Sequence, residues 1–321
     1  MTHKYDALKK VILYTVASGI IAGAIVLGIS YQVLAELTFA GDRVVYGKRL
    51  SDLAQEVRTE LLKRPDVTPV SFEASDGMVI SGFLIERKNA KYNAVLCHGY
   101  RSVKEFMYGY IDLFPDWNIL LFDFRSHGNS DGKITSLGYH EAKDVIAASN
   151  YLKAAAKRKK MAQLPTVILG FSMGGAAALK AADLDATIAD ALIIDSTYAR
   201  LNSTILKAYS SKTLLPFYPF FPVITWLFNY LAACDIHQMN PDDCVSRIKM
   251  PILFIHAATD SYVASKNVLK LYSNVQNKHS KIWIGPACRH GSLHTFYEHA
   301  YQHKVHSFLT KVFAESEFKK L

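Results

Sequence analysis

An α/β domain on a mostly parallel sheet, preceded by one membrane-spanning helix, is the fold class this 321-residue chain predicts. Three observations carry it. Residues 11–34 contain no charge at all. From residue 93 onward, short apolar runs rich in Val, Ile and Leu alternate with helical segments, which is the rhythm of a parallel sheet covered on both faces. And "TVILGFSMGGAAALKAA", residues 166–182, turns abruptly from strand to helix at a serine flanked by glycines.

The elements follow in order. The 24 uncharged residues of 11–34 would extend ~36 Å as a helix at ~1.5 Å per residue, enough for a hydrocarbon core of ~30 Å. A cleaved signal peptide is the alternative, but the apolar run exceeds the usual core of such a signal and no small-x-small cleavage site follows closely. Lys4, Lys9 and Lys10 precede the span with Asp6 as the only acid, whereas Glu36, Asp42, Arg43, Lys48 and Arg49 follow it. This bias predicts a cytoplasmic flank over residues 1–10, an anchor over 11–34 and the main domain on the far side of the membrane. Residues 35–66 read as a polar, partly helical connector ending near Pro65, and "VSFEASDGMVISGFLIE" as a hairpin turning at Asp76-Gly77.

Strands are then predicted in "NAVLCH", "NILLFDF", "TVILGF", "ALIIDS", "PILFIHA" and "KIWIGP". Helices are expected near 103–113, 139–155 and after Ser172. Half of the residues are hydrophobic and a fifth charged, which excludes a disordered chain. The net charge of +9 has a local source in "KAAAKRKK", residues 153–160. It reads as a solvated helix end facing anionic lipid, because no aromatic or glycine pattern of a nucleic-acid site accompanies it. Four cysteines without CxxC spacing exclude a zinc ribbon and a disulfide scaffold. Cys97 reads as a packed thiol, and Cys234 with Cys244 as the one disulfide an exported domain could form.

Functional groups on such a sheet gather at the carboxyl ends of the strands. The residues there are His98, Gly99, Tyr100, Asp123, Ser172, Asp195, Asp260 and His290. A serine hydroxyl near neutral pH needs a base within hydrogen-bond reach and a third group to orient that base. Gly170 and Gly174 would remove Cβ atoms that otherwise clash as strand and helix close on each other around Ser172.

"GFSMGG", "HAATDSYV" and "ACRHGS" place Ser, Asp and His in the chain order of the α/β-hydrolase superfamily. The chain resembles that superfamily over residues 67–315. It is most similar to single-domain serine hydrolases such as the BEM46-like proteins and the serine-aminopeptidase-like esterases and thioesterases. The resemblance implies the α/β-hydrolase fold with an eight-stranded, mostly parallel sheet. It further implies Ser172 as nucleophile, Asp260 as the acid, His290 as the base, and the backbone N–H groups of Tyr100 and Met173 as the oxyanion hole, with no cofactor and no metal. Asp195 competes with Asp260, and His294 with His290. "DFRSHGNSDG", residues 123–132, resembles a tight turn whose polar groups brace the loop.

Within the insertion 199–250, "LLPFYPFFPVITWLFNYLAAC" is uncharged and aromatic. Pro216, Pro219 and Pro222 argue against a regular helix through its first half. Phe217, Tyr218, Phe221 and Trp226 are candidates to line the substrate, as an apolar lid over Ser172 or by dipping into the bilayer. Ordinary packing of these aromatics on the core is the competing reading. The reading as a whole is a membrane-anchored serine hydrolase of esters or thioesters with an apolar acyl group, taking a small ester, a lipid or an acylated partner and no nucleic acid. A peptidase using the same residues and a catalytically silent membrane scaffold are the alternatives.

Overall fold

The structure, a computed structural model, describes residues 2–38, 44–45 and 48–318, so Asp42 and Arg43 of the charged flank lie outside it. Helix α1 (Thr2–Thr38) contains the charge-free stretch. Its segment Lys9–Glu36 is, by length and composition, long and apolar enough to cross a membrane. Two two-residue strands, β1 (Val44–Val45) and β2 (Lys48–Arg49), pair antiparallel and lead into α2 (Leu50–Leu62). The segment expected as a connector is therefore partly built into the domain. Leu61 is fully buried with Phe83 and Ile85, and the Arg58 guanidinium sits over the Phe83 ring.

β3 (Val67–Glu73) and β4 (Val79–Ile85) form the hairpin around Asp76-Gly77. β5 (Asn93–Cys97), β6 (Asn118–Phe122), β7 (Thr166–Phe171), β8 (Ala191–Asp195), β9 (Ile252–Ala257) and β10 (Lys281–Gly285) run parallel to one another. The eight strands form one sheet in the order β10-β9-β8-β7-β5-β6-β4-β3, with β4 antiparallel to β6. All of β5, β8 and β9 is buried, as the continuous apolar runs require of strands covered on both faces.

A 3₁₀ helix (Lys104–Leu113) follows β5, α3 (Glu141–Arg158) follows β6, and α4 (Met173–Leu184) follows β7. After β8 come α5 (Leu201–Lys212), α6 (Phe217–Leu231) and α7 (Pro241–Val245). Helix α8 (Lys266–Ser273) precedes β10, and α9 (Leu293–Phe296) and α10 (Glu298–Phe318) close the chain. One face of the sheet buries Val145, Leu179 and Val268 from α3, α4 and α8. The other buries Leu61, Met107 and Val305 from α2, the 3₁₀ helix and α10.

Two expectations change and one holds in part. The proline-rich segment is broken at its start, where Tyr218 leaves the helix, and is helical from Pro219 onward. Pro219 falls where the helix needs no N–H donor, and the i−4 partner of Pro222 is Tyr218, whose φ/ψ of −96°/138° lies outside the helix and removes the clash. Cys234 and Cys244 are free thiols, not a disulfide. Each is buried in its own packing around the bend between α6 and α7, and burial pushes both thiols up to about 12. The basic run of 153–160 does not sit beside the anchor. Lys159 pairs with Glu86 and lines a groove with Asn93 and Asn118, at the amino ends of β5 and β6, whereas α1 meets the domain at the carboxyl ends.

Candidate active site

The joint between β7 and α4 explains its own glycines. Ser172 has φ/ψ of 53°/−115°, a conformation costly for a residue with a side chain. The turn is held by the Ser172 N–H donating to the Asp195 carbonyl at 2.8 Å and the Thr197 hydroxyl donating to the Ser172 carbonyl at 2.7 Å. A Cβ on Gly170 would lie 2.6 Å from the Gly174 carbonyl oxygen, so Gly170 lets helix and strand close. Gly174 has a different neighbour from the one expected. Its Cβ would lie 2.4 Å from the Cys97 carbonyl oxygen, so this glycine lets α4 start against the end of β5.

Three side chains from separate loops meet here. The Ser172 Oγ is 3.0 Å from His290 Nε2, and His290 Nδ1 is 2.6 Å from Asp260 Oδ2. The other Asp260 oxygen accepts the backbone N–H groups of Tyr262 and Val263 at 2.9 and 2.8 Å. Burial of Asp260 opposes its charge, but the hydrogen bond from His290, helped by the Val263 N–H, outweighs burial and holds the carboxyl below the usual range. A carboxylate can only accept, so His290 carries its proton on Nδ1 and turns the Nε2 lone pair toward the serine hydroxyl.

The rivals are occupied elsewhere. Asp195 accepts from the Tyr301 hydroxyl at 2.8 Å and from the Ser196 hydroxyl at 2.7 Å, and burial raises its pKa. His294 stacks on the Tyr110 ring at 4.2 Å.

The loop after β5 lies against the elbow. The His98 Nδ1–H donates to the Gly99 carbonyl at 2.8 Å, while Nε2 accepts the Phe124 N–H at 3.0 Å. Burial pushes this imidazole down to about 3, so it is a neutral strut between the ends of β5 and β6. A Cβ on Gly99 would lie 2.9 Å from the Phe171 ring and 3.4 Å from the Ser172 Cβ, so this loop starts in close contact with the elbow. Met173 opens α4, so its N–H is one of the four that have no partner within a helix. Asp123 is buried with Lys104 as its ion-pair partner and accepts the Lys104 and Asn129 N–H groups at 2.8 and 2.9 Å, which braces the loop as the resemblance implied.

Three of the four aromatic candidates of α6 are in ring contact, Phe217 with Tyr218 at 4.7 Å and with Phe221 at 5.2 Å, while Trp226 stacks on Tyr230 instead. Phe221 is buried between Tyr209 and Phe217, whereas Phe217, Tyr218 and Trp226 are exposed. The rings beside His290 are Phe171 and Tyr262, at 5.1 and 5.2 Å. Neither stood out in the sequence, although Tyr262 follows the acid by two positions. Among the described residues no group of three His, Cys, Asp or Glu side chains could hold a metal ion.

A mostly parallel eight-stranded sheet with serine, acid and histidine at one rim defines a hydrolase scaffold. The chain belongs to the alpha/beta hydrolase family, whose model matches residues 94–264. It is 26% identical over 265 residues to the uncharacterized protein YqkD of Bacillus subtilis, covering 82% of this chain and 85% of that one. It is 26% identical over 160 residues to the lysophosphatidylserine lipase ABHD12 of Danio rerio, covering 49% of this chain and only 39% of the lipase. An esterase of Pyrococcus furiosus has the same fold, with a TM-score of 0.64 at 23% identity over 84% of this chain and 96% of the esterase. An esterase of Exiguobacterium antarcticum is similar with a TM-score of 0.53 at 16% identity, over 76% of this chain and all of the esterase.

Proposed function

We propose that this protein is a membrane-anchored serine hydrolase that cleaves carboxylic esters or thioesters bearing an apolar acyl group. The observation that carries the reading is the hydrogen-bonded chain from Ser172 through His290 to Asp260 on a strained strand-to-helix turn. Ser172 Oγ attacks the acyl carbon while His290 Nε2 takes its proton. The N–H groups of Tyr100 and Met173 stabilise the oxyanion, a type of interaction worth about 3–4 kcal/mol of barrier per donor. Collapse of the tetrahedral species expels the alkoxide or thiolate, which receives the proton from His290 and leaves an acyl-serine. Water, deprotonated by the same nitrogen, then releases the acid, and Asp260 keeps the imidazole in the required tautomer throughout.

The anchor is α1, with residues 1–10 on the cytoplasmic side and the domain on the other, as the distribution of lysines favours. Esterases and a lipase among the similar proteins support the substrate class. The test is labelling by a fluorophosphonate probe of the wild type and of Ser172→Ala side by side. Labelling of the wild type alone is the expected result. A folded wild type that does not label, or a Ser172→Ala variant that does, overturns the reading.

A further inference from the structure

The lower half of α1 is bare and the upper half is not. From Lys9 to Ile25 its residues are exposed except for a partly shielded Ala17, whereas Val26, Ile29, Ser30, Val33 and Leu34 form a shielded stripe at helical spacing. Helix α1 packs along α6, and Leu34, with Val33 against it, belongs to the same apolar cluster as Phe221, Ile224, Leu227 and Phe228. The bare apolar segment 11–25 extends only ~22 Å, short of the ~30 Å hydrocarbon core. A span can be completed only by including the turns that carry α6.

Helix α6 is suited to that depth. From Thr213 to Cys234 the chain has no charged residue, with Lys212 before it and Asp235 after. Tyr218, Pro222, Trp226 and Tyr230, four residues apart, form an exposed stripe, with Trp226 stacked on Tyr230 at 6.0 Å. Tyr and Trp in this arrangement are the residues of the membrane–water interface. At 15 residues α6 is too short to span, and the chain bends by 81° into the segment that returns to the core at Ile236 and Val245.

We propose that α6 lies immersed in the bilayer leaflet that surrounds the upper half of α1, with its Tyr218–Trp226–Tyr230 stripe against lipid. The end of α1 also touches the rim of the site. The Tyr100 hydroxyl donates to the Glu36 carbonyl at 3.5 Å, and the Arg101 guanidinium is 3.5 Å from the Glu36 carboxylate. The mouth beside Ser172 is thus held at the leaflet surface, and the substrate is an acyl lipid taken from that leaflet. The lipid contact stands on the packing of α1 and α6; the identity of the substrate rests on the hydrolase reading above.

The full chain, reconstituted in phosphatidylcholine vesicles with and without acyl-chain bromine, gives the test through tryptophan fluorescence. Bromine is expected to quench the wild type, and Trp226→Phe is expected to lose most of that quenching, since Trp117 and Trp283 belong to the catalytic domain. Equal quenching in the two proteins, or cross-linking of Tyr230→Cys into dimers in place of quenching, overturns the lipid contact. In Tyr230→Glu, turnover of an ester embedded in vesicles should fall severalfold while turnover of a water-soluble acetyl ester is unchanged; an equal fall in both overturns delivery from the leaflet. Fluorophosphonate labelling of the same vesicles separates the two readings. Labelling without Trp226-dependent quenching removes the lipid contact and leaves the hydrolase, and quenching without labelling does the reverse.

Discussion

The Tyr301 hydroxyl donates to the Asp195 carboxylate at 2.8 Å in a site where both side chains are buried. This bond places an acid beneath the elbow without offering it to His290. Its partner on the same strand end is the Ser172 N–H, which donates to the Asp195 carbonyl, so one residue holds the turn by its backbone and α10 by its side chain. Tyr301→Phe removes one donor from a buried carboxyl and should cost about 1–3 kcal/mol in a denaturant titration. Fluorophosphonate labelling should persist, because no atom of Tyr301 takes part in the proposed proton transfers.

Asp260→Asn should be far more damaging to turnover than Asp195→Asn. The first change offers His290 a donor or a neutral acceptor and lets the ring adopt the wrong tautomer, an effect on the order of 10⁴-fold in kcat in serine hydrolases built this way. Asp195→Asn keeps an acceptor for Tyr301 and should act mainly on stability. Ester hydrolysis rates and melting temperatures of the two variants, measured together, check the assignment, and a reversal of the order would reassign the acid to Asp195.

Gly174→Ala should fail by collision between backbones. The added methyl would sit 2.4 Å from the Cys97 carbonyl and 2.5 Å from that of His98, neither of which can rotate away. A loss of about 1–3 kcal/mol or more is expected, with reduced probe labelling because the start of α4 and the Met173 N–H are displaced. Gly23→Ala is the control, since no atom lies within 4 Å of its added methyl.

His98 should make stability fall on the acid side. Its folded pKa is pushed down to about 3 from the ordinary 6.5, so below pH 6.5 the unfolded chain binds a proton that the folded chain refuses. Unfolding free energy should therefore be constant above that pH as far as this group is concerned. It should drop by about 1.4 kcal/mol per pH unit on the way down to pH 3. Burial lowers His127 as well, which adds to the slope. Urea titrations between pH 7 and pH 4 should give a shallower dependence for His98→Asn than for the wild type.

Much of the site is legible in the chain because it is local. A β-branched run ending at Gly-Phe-Ser-Met-Gly can only be a strand turning into a helix, and the order of Ser172, Asp260 and His290 follows from where each sits after its own strand. The alternation of strands and helices likewise dictates a parallel sheet. The tertiary structure decided what depends on residues far apart in sequence. It set Asp260 rather than Asp195 against His290, because Tyr301, over a hundred residues beyond Asp195, claims the latter. It aimed Gly174 at β5, kept Cys234 and Cys244 apart, and laid α6 along α1, nearly two hundred residues away. Local propensity fixes the elements and the turns between them; which buried group meets which is settled only when the sheet is assembled and each polar atom must find a partner.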